Sequence, residues 1–180
     1  FLDGRKLITS ANGEKLTDAQ RSELMGYVAI ISENWQKVIA ESVFKYAGST
    51  YKSLVALEDV SNDDLAKEFG KYMKYWGELK GFSMALQVGK DNIGESATKL
   101  NRMIGFGPML MDETQIIGID SKGNYIMDKI YSMNDAKLHM LKIQKLMIDK
   151  FGVEAKSNDM LADMADLASK IGTSESAEND

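Results

Sequence analysis

The sequence predicts an all-α protein: an antiparallel helical bundle interrupted by one long irregular segment with room for a small β-hairpin. Three observations carry this. A single proline, Pro108, falls among 180 residues. Apolar residues recur in steps of three and four over long stretches, which is the period of one helix face. Capping signals and glycines bracket those stretches.

The first long helix opens at Thr17, where "TDAQ" reads as a capping box with Gln20 at the third helical position. Leu24, Val28, Ile31, Trp35 and Val38 then mark one apolar face, and Gly48 is the expected end. Ser61 or Asn62 starts the next helix. Leu65, Phe69, Tyr72, Trp76, Leu79 and Leu86 keep the same spacing until Gly89. About 27 residues at 1.5 Å each make that helix roughly 40 Å long. Two such helices, each with one apolar stripe, are expected to pack antiparallel.

"SATKLNRMIG" predicts a shorter helix ending at Gly105. Residues 106–130 differ in kind. They hold the sole proline and a turn signal, "DSKGN", between β-favouring runs, which predicts an ordered loop with a small hairpin. Ser132 and Asp135 form a second capping box, opening a helix that runs to Phe151 and Gly152. A last helix is expected from about Asn158 to Ile171, with Met160, Met164, Leu167 and Ile171 on one face. The reading is thus one helical-bundle domain over 1–172, with 106–130 as an irregular insert and a polar acidic tail over 173–180.

Composition narrows the function classes. The net charge is −5 and the sequence pI about 5.0, with basic residues mixed among acidic neighbours. Nucleic acid as a partner is disfavoured, because displacing counterions from phosphates takes clustered Lys and Arg. With no cysteine, disulfides, zinc–thiolate sites and thiol catalysis are excluded together. No apolar run reaches the length of a membrane span. The chain opens on Phe1 without an initiator Met, so a processed product or a fragment with a missing upstream half is expected.

Candidate chemistry is sparse. His139 is the only histidine, and no Gly-x-Ser-x-Gly elbow supplies a nucleophile for it, so it reads as a partly exposed helix residue without a task. The twelve methionines sit at core-like positions and read as gap fillers. "GKDNIGES" and "GFGP" lack the Gly-Lys-Ser/Thr ending of a phosphate loop.

"KYWGELKGF" raises the sharper question. Tyr75 and Glu78 are three apart, so on a helix they share a face, and phenolate and carboxylate are hard oxygen donors suited to a ferric or similar ion. The competing reading is packing: Trp76 as a core anchor, Glu78 paired with a lysine, and Gly77 and Gly81 where another helix crosses closely. Each mid-helix glycine costs about 1 kcal/mol against alanine, and the physics alone ranks packing above metal.

Four segments, "FLDGRKLITSANGEKLTDAQ", "NWQKVIAESVFKYAG", "KYWGELKGFSMALQ" and "RMIGFGPML", resemble, in order, a domain-of-unknown-function branch of the imelysin-like bacterial envelope and surface proteins. The likeness is to that family's C-terminal half and covers residues 1–110. Its most telling piece is Trp76, Glu78, Lys80, Gly81 and Phe82, matching a His-Trp-x-Glu-x-Lys-Gly-Phe pattern in which Tyr75 stands in the histidine's place. The resemblance implies a helical lobe and export by a lipoprotein-type signal to a periplasmic, outer-membrane-attached or extracellular location. It also implies a part in metal (iron-type) acquisition, with Glu78 and Tyr75 as the metal candidates. No catalytic residue is assigned, and a peptidase is disfavoured by the missing histidine. The alternative, from another class, is an assembly module that contacts other chains and holds no ligand. The two differ in what they require: at least two further donors at Glu78, or exposed apolar side chains on 106–130 or the last helix.

Overall fold

The computed structural model describes residues 1–88, 93–165 and 167, and it is an all-α bundle with one small hairpin. In chain order come α1 (Leu2–Ser10), α2 (Asp18–Glu58), α3 (Asn62–Gln87), α4 (Glu95–Ile104), β1 (Gln115–Ile119), β2 (Tyr125–Asp128) and α5 (Met133–Phe151), then a short 3₁₀ turn (Leu161–Asp163). The chain divides into two compact units, Phe1–Val38 and Ile39–Asp180.

In the first unit, buried Gly4 of α1 lets Tyr27 and Leu24 of α2 come close. Thr17 and Gln20 form the expected box: the Gln20 amide donates to Thr17 Oγ1 at 3.2 Å, and the Thr17 amide to Gln20 Oε1 at 2.9 Å. The stripe that follows departs from expectation. Leu24 is half-buried, yet Val28, Ile31, Trp35 and Val38 are exposed, Trp35 to 69%. Helical periodicity marks a face; it does not supply the surface that covers it.

The second unit holds the core. α2 runs on past Gly48 to Glu58, ten residues beyond the end expected from that glycine. Its inward face is Ala40, Val43, Phe44, Ala47, Leu54 and Leu57. The short connection over 59–61 turns the chain back into α3. Ser61 caps it by accepting from the Asp64 amide at 3.3 Å. Tyr46 of α2 lies against Tyr75 and Phe82 of α3, so the two helices run antiparallel. The predicted stripe of α3 does face inward, with Tyr72, Leu79 and Leu86 buried. α4 ends at Gly105, whose φ of 81° favours glycine. The end expected for α3 at Gly89 lies outside the described residues.

α5 is the centre. The predicted Ser132–Asp135 capping box is present, and Gly152 closes the helix in the left-handed conformation. Every residue from Asp135 to Leu141 is buried, so the helix is enclosed on all sides there, while Lys145, Asp149 and Lys150 further on face solvent. His139 is therefore not the partly exposed residue expected: it is fully buried, edge-on to Tyr131 with ring centroids 4.7 Å apart. Lys137 is also buried and reaches Glu58 at 2.6 Å.

The last helix begins later than expected. Asn158 has a φ of 56° and stands outside any helix, and the turn starts at Leu161. Asn158 is placed by two neighbours. Gly48 presents bare backbone to its carbonyl, and Gln144, fully buried, donates to that carbonyl at 2.6 Å and to the Phe44 carbonyl at 3.0 Å. Gln144 Oε1 in turn accepts from the Met160 amide at 3.0 Å. Met160, Met164 and Leu167 pack inward as expected, while Ile171 and the acidic tail lie outside the described residues.

Candidate functional site

The "KYWGELKGF" stretch lies in α3, and its parts separate by task. Trp76 and Lys80 are four residues apart and share a face. The Trp76 indole N–H donates to the Ile104 carbonyl at 3.0 Å, and the Lys80 ammonium donates to the Gly105 carbonyl. These carbonyls sit at the C-terminal end of α4, where backbone acceptors lack intrahelical donors and positive charge is favoured. Burial holds the Lys80 ammonium below the ordinary lysine range. The pair therefore caps a neighbouring helix, a task that spacing within α3 does not reveal.

The two glycines depart from expectation. A Cβ on Gly77 or Gly81 would meet no heavy atom within 4 Å, so neither marks a close helix crossing. The close approach is at Gly48, where a side chain would overlap the Asn158 carbonyl.

Glu78 is half-buried, and its partners are Tyr46, whose hydroxyl donates to it, and Lys74, 4.0 Å away. The bond to Glu78 raises the Tyr46 phenol above its ordinary range. Tyr46 comes from α2, 32 positions upstream, and no sequence signal pointed to it. Tyr75 shares a ring contact with Tyr46, at 6.4 Å between centroids, and lies under the Lys74 ammonium. It also lines a shallow cleft of about 310 Å³ with Ser49, Lys52, Ser53, Glu68 and Asn158.

Among the described residues, no three His, Cys, Asp or Glu side chains gather where they could hold a metal ion. Beside Glu78 the structure places one phenol, that of Tyr46, and the Lys74 ammonium. Tyr46, held protonated by its bond to Glu78, is a weak ligand. The donor set resembles an ion-paired, hydrogen-bonded carboxylate more than a transition-metal centre.

The 106–130 insert carries the other candidate. Its base is well anchored: the Met109 amide donates to the buried Tyr72 hydroxyl at 2.9 Å, Met109 bridges to Gln115, and Glu113 accepts from the Met133 amide. The tip is held by Asp120, which accepts from the Lys122 and Asn124 amides, with Gly123 at a φ of 86°. The Asn124 side-chain amide, which donates to the other carboxylate oxygen at 2.9 Å, and after it these backbone bonds hold the Asp120 carboxyl below the usual range. Between base and tip, β1 and β2 pair antiparallel, with a bulge between Ile116 and Gly118. The strands carry exposed apolar side chains: Ile117, Ile119, Tyr125, Ile126 and Met127, with Ile130 just beyond.

Comparison with protein-family models, with known curated proteins and with solved structures gave no match. No described helix is long and apolar enough to cross a membrane.

Proposed function

We propose that this chain is a non-enzymatic helical module of the cell envelope or surface that works by contact with other protein chains, with the β1–β2 hairpin as its contact element. One observation carries the reading. A two-stranded hairpin is marginal in water on its own, and this one is anchored at its base while exposing large apolar side chains at 40–67% of their surface, with Ile119, Tyr125 and Met127 sharing one face and Ile126 on the other. Contiguous exposure of that kind marks interaction sites in soluble proteins. The envelope or surface location rests on the imelysin-like resemblance. The non-enzymatic reading draws support from His139, which is enclosed in the core and away from any cleft described above.

The test is site-specific photo-crosslinking in the natural source, with the probe at Ile119 or, as control, at Lys67 on the exposed side of α3. Cross-linked products from the hairpin position alone are expected. Equal labelling from both positions, or none from either, would end the reading.

A second reading, metal (iron-type) acquisition through Glu78 and Tyr75, is favoured by the Tyr46 phenol bonded to the Glu78 carboxylate, with the Tyr75 ring 6.4 Å from that of Tyr46. Elemental analysis of the purified protein beside its Glu78→Gln variant tests it. Stoichiometric metal lost in the variant would establish it, and metal-free protein would dismiss it.

A further inference from the structure

We infer that the free edge of β2 pairs with the same edge of a second copy of this chain, joining two hairpins into a four-stranded sheet. This rests on the reading of the hairpin as a contact element and names its partner.

The two edges of the hairpin differ. β1 is blunted: it bulges at Ile117, and its outer side already bridges to Met109. Bulges and covering segments are how proteins protect an edge from pairing. β2 has neither. It carries no proline and no bulge of its own, and all four of its residues are exposed. Among the described residues no third strand joins the sheet.

Charge admits a second copy. The chain as a whole is acid-rich, at −5. Over 115–130, however, Asp120 and Asp128 are matched by Lys122 and Lys129, so two copies meet here without net repulsion. An antiparallel two-fold centred on Met127 sets Ile126 opposite Asp128 and Tyr125 opposite Lys129. The second pairing brings an ammonium to an aromatic ring, and no like charges stand directly opposite. Such a contact is isologous and closes on itself, which suits a discrete dimer.

Area sets the strength. The side chains that an edge contact of β2 covers are Tyr125, Ile126, Met127 and Ile130, about half exposed; at roughly 200 Å² for a large side chain they offer up to about 400 Å² per copy. Two copies then stay below the lower limit of about 1,200 Å² for standard specific interfaces, in the range of weak, transient contacts. The expected dimer is weak and concentration-dependent, with micromolar Kd.

Sedimentation equilibrium of the purified chain, from low to high micromolar concentration, tests this. A monomer–dimer equilibrium is expected for the wild type. Met127→Lys sets two ammonium groups face to face across the two-fold and should weaken the dimer at least about tenfold, with the helical circular dichroism unchanged. Trp35→Lys, on the exposed stripe of α2, should leave the dimer intact. Should Met127→Lys fail to fold, hydrogen exchange of the wild type decides: amides of 125–129 gain protection with concentration if the inference holds, and gain none if it does not. A monomer throughout, a dimer indifferent to Met127→Lys, or a dimer lost with Trp35→Lys would each overturn it. A purified monomer that still cross-links through Ile119 in its natural source would sink the self-pairing alone and leave the contact reading standing.

Discussion

Asn158 and Gly48 occupy what is nearly one place: the carbonyl oxygen of the first lies where a side chain of the second would begin. The contact joins α2 to the segment after α5, across 110 positions of sequence. Its other faces are closed by polar bonds, with Asn158 Nδ2 donating to Ser49 Oγ at 2.8 Å and Lys52 Nζ to Asn158 Oδ1 at 2.9 Å. Gly48→Ala must therefore displace the segment over 157–163. We expect a loss of about 1–3 kcal/mol, the range of overpacked sites. Urea unfolding measures it, and an alanine tolerated without loss would show that the segment yields freely.

Gly77 and Gly81 should respond in the opposite sense. Both are helical and exposed, with open space where a Cβ would go. Gly77→Ala and Gly81→Ala are each expected to stabilise the fold by about 0.5–1 kcal/mol, through helix propensity and a less free unfolded chain. A melting temperature that falls in either variant would reveal a neighbour not described above.

Gln144 makes three hydrogen bonds from a fully buried amide. Gln144→Leu keeps most of the volume and strands the Asn158 carbonyl and the Met160 amide, while the Phe44 carbonyl keeps its bond within α2. An unsatisfied buried group costs about 1–3 kcal/mol, so the variant should lose at least that much, with exchange protection falling first at Met160. Uniform loss over the whole bundle would indicate a packing defect instead.

Alkaline pH should unfold the protein through Tyr131. Burial pushes its phenol up to about 12. The unfolded chain ionises near 10, so between those values it binds fewer protons than the folded chain, and stability falls as pH rises. At about 1.36 kcal/mol per pK unit the loss by pH 12 is about 2 kcal/mol after allowing for partial exposure. Tyr131→Phe should flatten the decline in melting temperature above pH 10. An unchanged slope would assign it to other groups, Tyr72 foremost, whose phenol burial also raises.

Glu78→Gln should lower the Tyr46 phenol toward its ordinary value, because the carboxylate that holds its proton is gone. Ultraviolet titration of the wild type against the variant checks this. Identical titration curves would place the Tyr46 proton elsewhere.

The elements that sequence disclosed are those whose causes are local. Thr17 with Gln20, Ser132 with Asp135, Gly105, Gly152 and the "DSKGN" turn each act within five residues, and each stands where the pattern put it. Glycines were misread because their meaning depends on what lies opposite. Gly48 looked like a helix end and is a close approach, while Gly77 and Gly81 looked like close approaches and face open space. α1 went unpredicted, as a short helix starting at the second residue with no side-chain cap. Of the candidate site, Tyr75 and Glu78 were visible by spacing. Tyr46 was not, because only the return of α3 along α2 brings it near, and no periodicity encodes that pairing. The burial of His139 was hidden for a related reason: the half of α5 around it, 135–141, is enclosed on every side and shows no single stripe.

That enclosure has a consequence for how the protein is made. The helix that completes the core of the second unit starts at Met133, and its last buried residue is Met147. A ribosome adding about 5–20 residues per second releases α2, α3 and α4 some seconds before α5 exists. During that interval the inward faces of Phe44, Leu54 and Leu79 lack the helix that completes their core. Completion of the core thus waits until residue 147 has been made, and a message cut short before it yields helices without a middle, the form that chaperones and proteases are built to find.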